Sequence, residues 1–452
     1  EDFREVMAST SGKDLSQFEN WYTQSGTPTV TLASTYKDNM LVITATQIGT
    51  QKPVIIPIRI GLISENGEIL KFQLTENGSL IVETNLILTD TQTTWTLYGI
   101  NSKTKPIISS FRNFSAPVYY KKTLSKVEKY CIFQYDTDLF NRWDAGQELY
   151  TEWIQNVSQN ILQNTPMTRE LELHKIIHII LKNYDDDPAF TATLITLPGL
   201  STLLENHESY DVKIVVSAKE VVLNQMITQH ESLLLECYES LYKQQSNQIT
   251  ISAMDCRQLQ NLCLYYLCYL NQKKYYQLAY RQFSNALTMT DQLGALKALC
   301  VTKNSLSKLA LQEFYDQWKS RPLLMNKWFA IQSSIQTENA LNIVKQLERH
   351  ENFNSKNPNK IRALYGTFTA NLKWFHQESG DGYMFLAHKI IEIDSFNPTM
   401  ASRLASGFKK YNQLPSHNKV NMKAALNLIT NHSKLSKNTQ EIILKITQKN
   451  DK

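Results

Sequence analysis

Two histidines, His174 and His178, have the spacing in this chain that comes nearest to metal chemistry. Histidines four residues apart share one face of a helix, which is how an H-E-x-x-H segment holds zinc. Here the residue after His174 is Lys175, not the glutamate that would act as general base, and the surrounding helix is apolar on nearly every side. The spacing supplies no third ligand. The pattern therefore predicts packed or half-exposed structural histidines.

Other polar groups in the sequence also lack the spacing of a catalytic or metal site. His230-Glu231 has no second histidine at position 234, and no Ser-His-Asp set or Gly-rich phosphate loop can be assembled. Asp185-Asp186-Asp187 stands directly before Pro188 without the spacing of a calcium loop, so it predicts a solvated helix cap. We expect no catalytic residue, metal ligand or cofactor site in this chain.

The cysteines show neither CxxC pairs nor a Cys/His grouping with zinc spacing. They lie in apolar contexts typical of helices, which predicts buried free thiols in a reducing, cytoplasmic compartment. The six are Cys131, Cys237, Cys256, Cys263, Cys268 and Cys300.

Composition narrows the class of protein. The 452 residues are enough for two to four domains, and the low counts of Gly (14) and Pro (12) favour long regular elements. The 47 Lys and Arg and 42 Asp and Glu residues look interspersed, with basic runs no longer than pairs. We therefore expect a mixed, solvated surface and no nucleic-acid partner, which would need a clustered basic stripe. No stretch of about 18 apolar residues occurs, so no membrane span is predicted.

The elements change character along the chain. Residues 27–115 hold six or seven runs rich in β-branched residues, several of them alternating apolar and polar. Turn signals at 37–39, Asn66-Gly67 and Asn77-Gly78 separate them. This pattern predicts an immunoglobulin-like β-sandwich. We expect prolines at strand ends or edges, namely Pro53, Pro57 and Pro106.

From about residue 118 the apolar period becomes helical. About fifteen amphipathic blocks are separated by short breaks, and Asn357-Pro358 is one of several helix-start signals. This predicts a large all-α superhelical solenoid of the HEAT or armadillo kind. The fold class is therefore α+β multidomain.

Five stretches resemble one known family. They are FENWYTQSGTPTVTL from residue 18, FSAPV at 114–118, FNRWDAGQ at 140–147, NPNKIRAL at 357–364 and SGDGYMFLAHKIIEIDSFNP at 379–398. In order and spacing they resemble the bacterial aminopeptidase N family, zinc-dependent enzymes that remove N-terminal residues from peptides. The match runs from the first residues almost to the last.

The resemblance implies three parts: a C-terminal tail of the catalytic domain at 1–26, a β-sandwich domain at 27–116 and a helical solenoid domain at 117–452. The chain opens at Glu1, and no position matches the family's zinc ligands or catalytic glutamate. We therefore expect a fragment that is inactive alone. The full-length parent is expected to be a monomeric, cytoplasmic zinc metalloaminopeptidase that acts on peptides together with its N-terminal and catalytic domains.

The resemblance also implies two substrate-binding residues. Arg362 in NPNKIRAL and Arg403 in NPTMASRL match family arginines that place positive charge near the C-terminal side of a peptide substrate. Both are expected on the first turns of helices. Thr399 stands where the family can carry glutamine, so one hydrogen bond of the family is not expected here.

Two hypotheses follow. In the first, this region encloses the active site of an aminopeptidase, restricts substrate access and helps bind the peptide, with no catalysis of its own. In the second, the chain is a non-enzymatic α-solenoid scaffold that binds a protein partner on its concave face.

Overall fold

The structure is a computed structural model that describes residues 1–205, 211–301 and 304–448. It forms two compact units, Glu1–Tyr150 and Thr151–Lys452, which are described separately. Eight strands occur among the described residues, all in the first unit. They are β1 (Thr29–Lys37), β2 (Met40–Ile48), β3 (Ile56–Ile63), β4 (Ile69–Leu70), β5 (Glu83–Leu88), β6 (Gln92–Leu97), β7 (Ile107–Ser110) and β8 (Tyr119–Lys121).

The strands form two sheets with a shared apolar core. One sheet has the order β6-β2-β1-β8, and the other has β4-β3-β5 with β7 also paired to β3. Alternate residues of each sheet are buried in this core, among them Ile43 and Ile58. All pairs are antiparallel except β1 with β8. This pairing extends the sandwich past residue 116.

The predicted turns are present. Asp38 and Asn39 join β1 to β2 with φ of 51° and 59°, the two positive values that a two-residue hairpin loop requires. Gly67 has φ of 87° between β3 and β4, and its amide donates to the carbonyl of Ser64 at 3.0 Å. At Gly78 the amide donates to Thr75 at 3.0 Å without a positive φ.

Two predicted strands are shorter than the sequence suggested. Residues 68–74 keep only the two residues of β4, and the run at 79–88 becomes a strand only from Glu83. Phe72 pairs with Ile81 while the next residue, Gln73, pairs with Tyr98, so no continuous ladder can form. The apolar residues that suggested longer strands are exposed instead, namely Leu74, Leu80 and Val82.

The first unit also contains helices. They are α1 (Asp2–Ser11), α2 (Asn20–Thr23), α3 (Lys126–Tyr135) and the first part of α4 (Leu139–Gln163). The segment FENWYTQ holds α2 to the sandwich through the loop between β2 and β3. Its Trp21, Asn20 and Gln24 side chains donate to carbonyl oxygens of that loop at 3.0, 2.8 and 2.9 Å. These polar contacts explain why the segment carries those residue types.

A buried arginine ties α3 to the sheet. The Arg112 guanidinium lies 3.5 Å from the carboxylate of Asp136, which caps the C-terminus of α3, and 3.6 Å from Glu83 of β5. Burial raises the pKa of Asp136 while the nearby arginine opposes that rise. An ideal Cβ on Gly61 of β3 would lie 2.0 Å from Arg112 Nη1, so only glycine leaves room for this guanidinium.

The segment beside Arg112 has unusual backbone geometry. Phe111, Asn113 and Phe114 have φ of 56°, 53° and 53°, values uncommon for residues other than glycine. Asp138 stabilises this conformation, because its carboxylate accepts from the Asn113 amide at 2.7 Å. The same carboxylate accepts from the Asn141 amide at 2.9 Å and so caps the start of α4.

All regular secondary-structure elements in the described residues of the second unit are helices. Its helices after α4 are α5 (Leu171–Lys182), α6 (Pro188–Leu194), α7 (Leu200–Leu203), α8 (Val212–Lys243), α9 (Ile251–Tyr269), α10 (Lys273–Ser284), α11 (Met289–Leu299), α12 (Ser305–Trp318), α13 (Pro322–Ser333), α14 (Ala340–Leu347), α15 (Pro358–Ile361), α16 (Thr367–Ala370), α17 (Leu372–Phe375), α18 (Asp381–Asp394), α19 (Pro398–Ala405), α20 (Ser416–Thr430) and α21 (Lys437–Thr447). A π-helical turn, Arg362–Gly366, joins α15 to α16.

Packing is mainly between helices close in sequence, as in an α-solenoid. Helix α8 packs on α9, α10 on α11, α18 on α19 and α20, and α19 on α21. Nineteen helices, α3 to α21, follow residue 125 in the described part of the chain, and fifteen of them have seven residues or more, compared with the roughly fifteen predicted. Within those described residues, no helix is both long and apolar enough to cross a membrane.

Buried histidines interrupt the apolar core of the helical unit. His174 Nδ1 lies 3.2 Å from His230 Nε2, and both side chains are over 90% buried. His230 has φ of −117° and ψ of 16°, which breaks the regular helix inside α8. Burial, together with the neighbouring His174 and His178, lowers the pKa of His230 to about 4.

His376 is buried in a second polar group. Its Nδ1 lies 2.8 Å from the Tyr383 hydroxyl, which also accepts from the Asn418 amide at 3.1 Å. Burial lowers the pKa of His376 to about 4.

The Asp138 carboxylate yields a first prediction. Asp138→Ala removes a helix cap and leaves the Asn113 amide unpaired, so we expect a loss of about 3 kcal/mol in the free energy of unfolding of the first unit. Asp187 is the matched control, since it caps α6 through the Phe190 amide at 2.9 Å but is exposed. Asp187→Ala should cost about 1 kcal/mol in the second unit. Denaturant-dependent hydrogen exchange reports each unit, and equal small losses would contradict the assigned role of Asp138.

The buried histidines predict acid lability of the helical unit. The folded-state pKa values of His230 and His376 lie below the unfolded value of 6.5, so below pH 6.5 the unfolded chain binds more protons. Stability should therefore fall as the pH falls from 6.5 to about 4, with a slope of up to about 1.4 kcal/mol per pH unit for each histidine. His376→Gln should reduce the slope measured by urea unfolding, whereas His388→Gln, at an exposed position, should not. An unchanged slope in both variants would refute this origin.

Candidate functional site

The described histidines include a buried pair, His174 and His230, each of which was considered above for metal binding. Among the described residues, no group of three or more His, Cys, Asp or Glu side chains is placed to hold a metal ion. His174 is bonded to His230 across the α5–α8 interface, and His178 is exposed one turn away. His174 is packed as the sequence predicts, whereas His178 is more exposed than predicted. The contact with His230 was missed because the sequence offers no signal that pairs residues 56 positions apart.

The thiols are also unsuited to nucleophilic chemistry. All six cysteines are free; five are buried and Cys256 is half-buried. Burial raises the pKa of Cys268 and of Cys300 to about 12, so both remain neutral thiols near pH 7. The prediction of buried free thiols is confirmed for five of the six cysteines, and Cys256 is the exception.

The first predicted site residue, Arg362, is exposed at the start of the π-helical turn. The preceding helix α15 begins as predicted, with Asn357 Oδ1 accepting from the Asn359 amide at 2.9 Å and Pro358 at the first position. The Asn359 side chain in turn accepts from Arg362 Nη2 at 2.6 Å. One edge of the guanidinium is therefore held, and the rest faces solvent.

The second predicted site residue, Arg403, is exposed on α19. Asn397 caps this helix, with its Oδ1 accepting from the Met400 amide at 3.0 Å. Because α19 has only eight residues, Arg403 lies in its last turn and not in its first. Thr399 is exposed one turn earlier on the same face.

Both arginine-bearing segments pack against α18. Tyr365, in the π turn, contacts Phe385 of α18 with ring centroids 5.7 Å apart. Gly407 follows Arg403 by four residues. An ideal Cβ built on Gly407 would lie 3.0 Å from Leu386 of α18 and 3.4 Å from Thr369 of α16, so this segment packs closely on both helices. The segments that carry Arg362 and Arg403, two residues 41 positions apart, therefore pack on the same helix, α18.

One feature of this region was not foreseen. The turn RALYG is π-helical, a rare form that is frequent at functional sites. Its Tyr365 is almost fully buried, and burial together with the nearby Glu348 carboxylate raises the pKa of its hydroxyl. Nothing in the local sequence distinguishes a π turn from an α-helical one. A cavity of about 650 Å³ between α12, α13 and α14 is lined by neither arginine.

Two family profiles match the chain. One, described as "Domain of unknown function (DUF3458_C) ARM repeats", matches residues 127–448. The other, described as "Domain of unknown function (DUF3458) Ig-like fold", matches residues 26–123. These matches confirm the predicted order of an immunoglobulin-like sandwich followed by a helical repeat domain.

Curated relatives extend the similarity over the whole chain. Aminopeptidase N of Escherichia coli (strain K12) is 30% identical over 456 residues, which cover 98% of this chain and 52% of the relative. Aminopeptidase N of Haemophilus influenzae is 29% identical, covering 99% and 52%, and that of Caulobacter vibrioides is 32% identical, covering 98% and 51%. The chain spans about half the length of the curated relatives it matches.

A solved structure agrees with these relatives. It is the crystal structure of Legionella pneumophila aminopeptidase A in complex with aspartic acid, at a TM-score of 0.84 and 26% identity over 99% of this chain and 52% of that one. The recognition made from the five sequence stretches is therefore confirmed. The chain is a C-terminal region of an aminopeptidase N-like protein and belongs to the family of ARM-repeat domains described as DUF3458_C.

Proposed function

We propose that this chain is the non-catalytic region of a zinc aminopeptidase that removes N-terminal amino acids from peptides. It encloses the active site, restricts substrate access and binds the C-terminal side of the peptide. The observation that carries this proposal is the match of nearly the whole chain to half of three aminopeptidase N sequences. In such an enzyme a zinc-activated water would attack the first peptide bond in another domain. The residues described here do not fit a zinc ion, so their contribution is binding and enclosure.

The exposed arginines suit the binding role. A peptide ends in a carboxylate, and a guanidinium can hold a carboxylate through two parallel hydrogen bonds. Arg362 is oriented by its bond to Asn359, which reduces the rotamer freedom lost on binding. Arg403 is exposed with no carboxylate partner among the described residues. Enclosure of such a site would exclude water and strengthen each charged contact.

The segment 1–26 supports the proposal from its apolar side. Its helix α1 has no buried residue, and Phe3 and Tyr22 are each 78% exposed. The polar side chains of the same segment donate hydrogen bonds to the sandwich, whereas these apolar side chains face solvent. We propose that the apolar side packs on the catalytic domain of the enzyme.

The chain alone yields one test. We expect no stoichiometric zinc by metal analysis and no hydrolysis of alanine p-nitroanilide, because no metal-ligand set exists in its described residues. The full-length protein should hydrolyse this compound and lose the activity to a chelator. One tight zinc in the chain alone, or turnover by it, would contradict the assignment. An inactive full-length protein would favour the scaffold hypothesis.

Substitution of Arg403 tests the binding role in the full-length protein. Arg403→Ala should lower kcat/KM for tripeptides with a free C-terminus by about tenfold, since a hydrogen bond to a charged group contributes about 1.5–3 kcal/mol. Aminoacyl anilides, which lack the carboxylate, should be hydrolysed almost as before. Arg349→Ala, at another exposed arginine of the helical unit, is the matched control. Equal losses for tripeptides and anilides would remove Arg403 from the substrate site.

A further inference from the structure

The distribution of charge in the helical unit is uneven near its end. Residues 395–440 contain seven Lys and Arg residues and no Asp or Glu. At the chain's average of 42 acidic residues in 452, a stretch of this length would carry about four. The seven are Arg403, Lys409, Lys410, Lys419, Lys423, Lys434 and Lys437. The interspersed charge expected from the whole composition does not hold here.

These cations stay unneutralised in the folded unit. Five of the seven are exposed, Lys410 and Lys419 are half-buried, and none lies within 4.0 Å of a carboxylate among the described residues. A second acid-free stretch, 91–127, is neutralised in part, although its Lys103, Lys105 and Lys121 are also exposed. Its Arg112 pairs with Asp136, and its Lys122 pairs with Asp144 and Glu148.

Nearby carboxylates already have other partners. Asp394 of α18 accepts from the Ser436 amide at 2.7 Å and from the Ser436 hydroxyl at 2.6 Å, which fixes the start of α21. Glu392 lies 2.9 Å from Lys389, and Glu441 lies 2.6 Å from Lys445. The seven cations lie on or between α19, α20 and α21, and these helices pack with α18. The five exposed ones present their charge to solvent.

We propose that residues 395–440 form a cationic surface that binds peptides carrying several Asp or Glu side chains. This inference rests on the proposed function, because the surface includes Arg403, which that function assigns to peptide binding. Fixed positive charge of this density raises the local concentration of acidic peptides, and salt screens the effect. The substrate class favoured by this region is therefore acidic peptides.

The test measures binding to the 452-residue chain and requires no turnover. The probe is hexaglutamate with an N-terminal fluorophore and a free C-terminus, followed by fluorescence anisotropy. A triple variant, Lys409→Gln, Lys423→Gln and Lys434→Gln, should raise the Kd about fivefold, since three exposed pairs of a few tenths of a kcal/mol are lost. The matched control is Lys103→Gln, Lys105→Gln and Lys121→Gln, which removes the same charge from exposed positions in the first unit. The control triple should leave the Kd unchanged.

The salt dependence of binding, the folding of the variants and two comparison ligands complete the test. Raising the salt concentration should weaken binding to the unsubstituted chain more than to the triple variant, and far-UV circular dichroism verifies that both variants fold. Equal weakening by the two triples, or equal binding of hexaglutamine, would overturn the proposal. Tighter binding of an oligonucleotide with six phosphates would show that the surface takes nucleic acid instead. Loss of anilide hydrolysis in the full-length protein bears only on the proposed function.

Discussion

The guanidinium of Arg112 lies against a β-strand at a position where only glycine leaves room for it. From there it reaches carboxylates of a neighbouring strand and of the end of α3, so a single side chain joins a sheet to a helix. Asp138 adds the cap of α4 and holds the adjacent left-handed segment. A buried pair of this kind contributes little net stability but strongly disfavours other arrangements, because separating the charges inside the protein is costly. These contacts connect α3 and the start of α4 to the sandwich.

The family-like stretches have separate physical reasons for their composition. In FENWYTQ, the asparagine, tryptophan and glutamine side chains donate to backbone carbonyls of one loop, and the Trp21 ring also packs against the sandwich core. In FSAPV, Ser115 donates to the Pro57 carbonyl at 2.9 Å and accepts from the Arg59 amide at 3.1 Å. These residues stabilise junctions. A resemblance carried by such stretches identifies the scaffold, and the function follows from it only through comparison with relatives.

The sequence predicted the fold well and the candidate site only in part. Hairpin turns at Asp38-Asn39 and Asn66-Gly67, and caps at Asn357 and Asn397, follow from local conformational preferences, which short stretches encode. The shortened strands near Leu74 and Leu80, and the His174–His230 contact, depend on which distant residue is the neighbour, and local patterns do not contain that information. The assignment of Arg362 and Arg403 as substrate-binding residues came from the family resemblance, and it stays a prediction. Their common support on α18 became visible only in three dimensions.

The π turn that begins at Arg362 determines the direction of the Arg362 side chain relative to the helix that follows the turn. A π turn accommodates one more residue than the α-helical ladder would, and each residue of an α-helix advances the chain by about 100° around the axis. Removing one residue from RALYG would therefore swing everything before the turn about a quarter of a revolution relative to Phe368 and the helices that follow. The direction of the Arg362 side chain is thus encoded in segment length as well as in residue type. Among relatives, a one-residue deletion at this point would redirect the arginine without changing the type of any neighbouring residue.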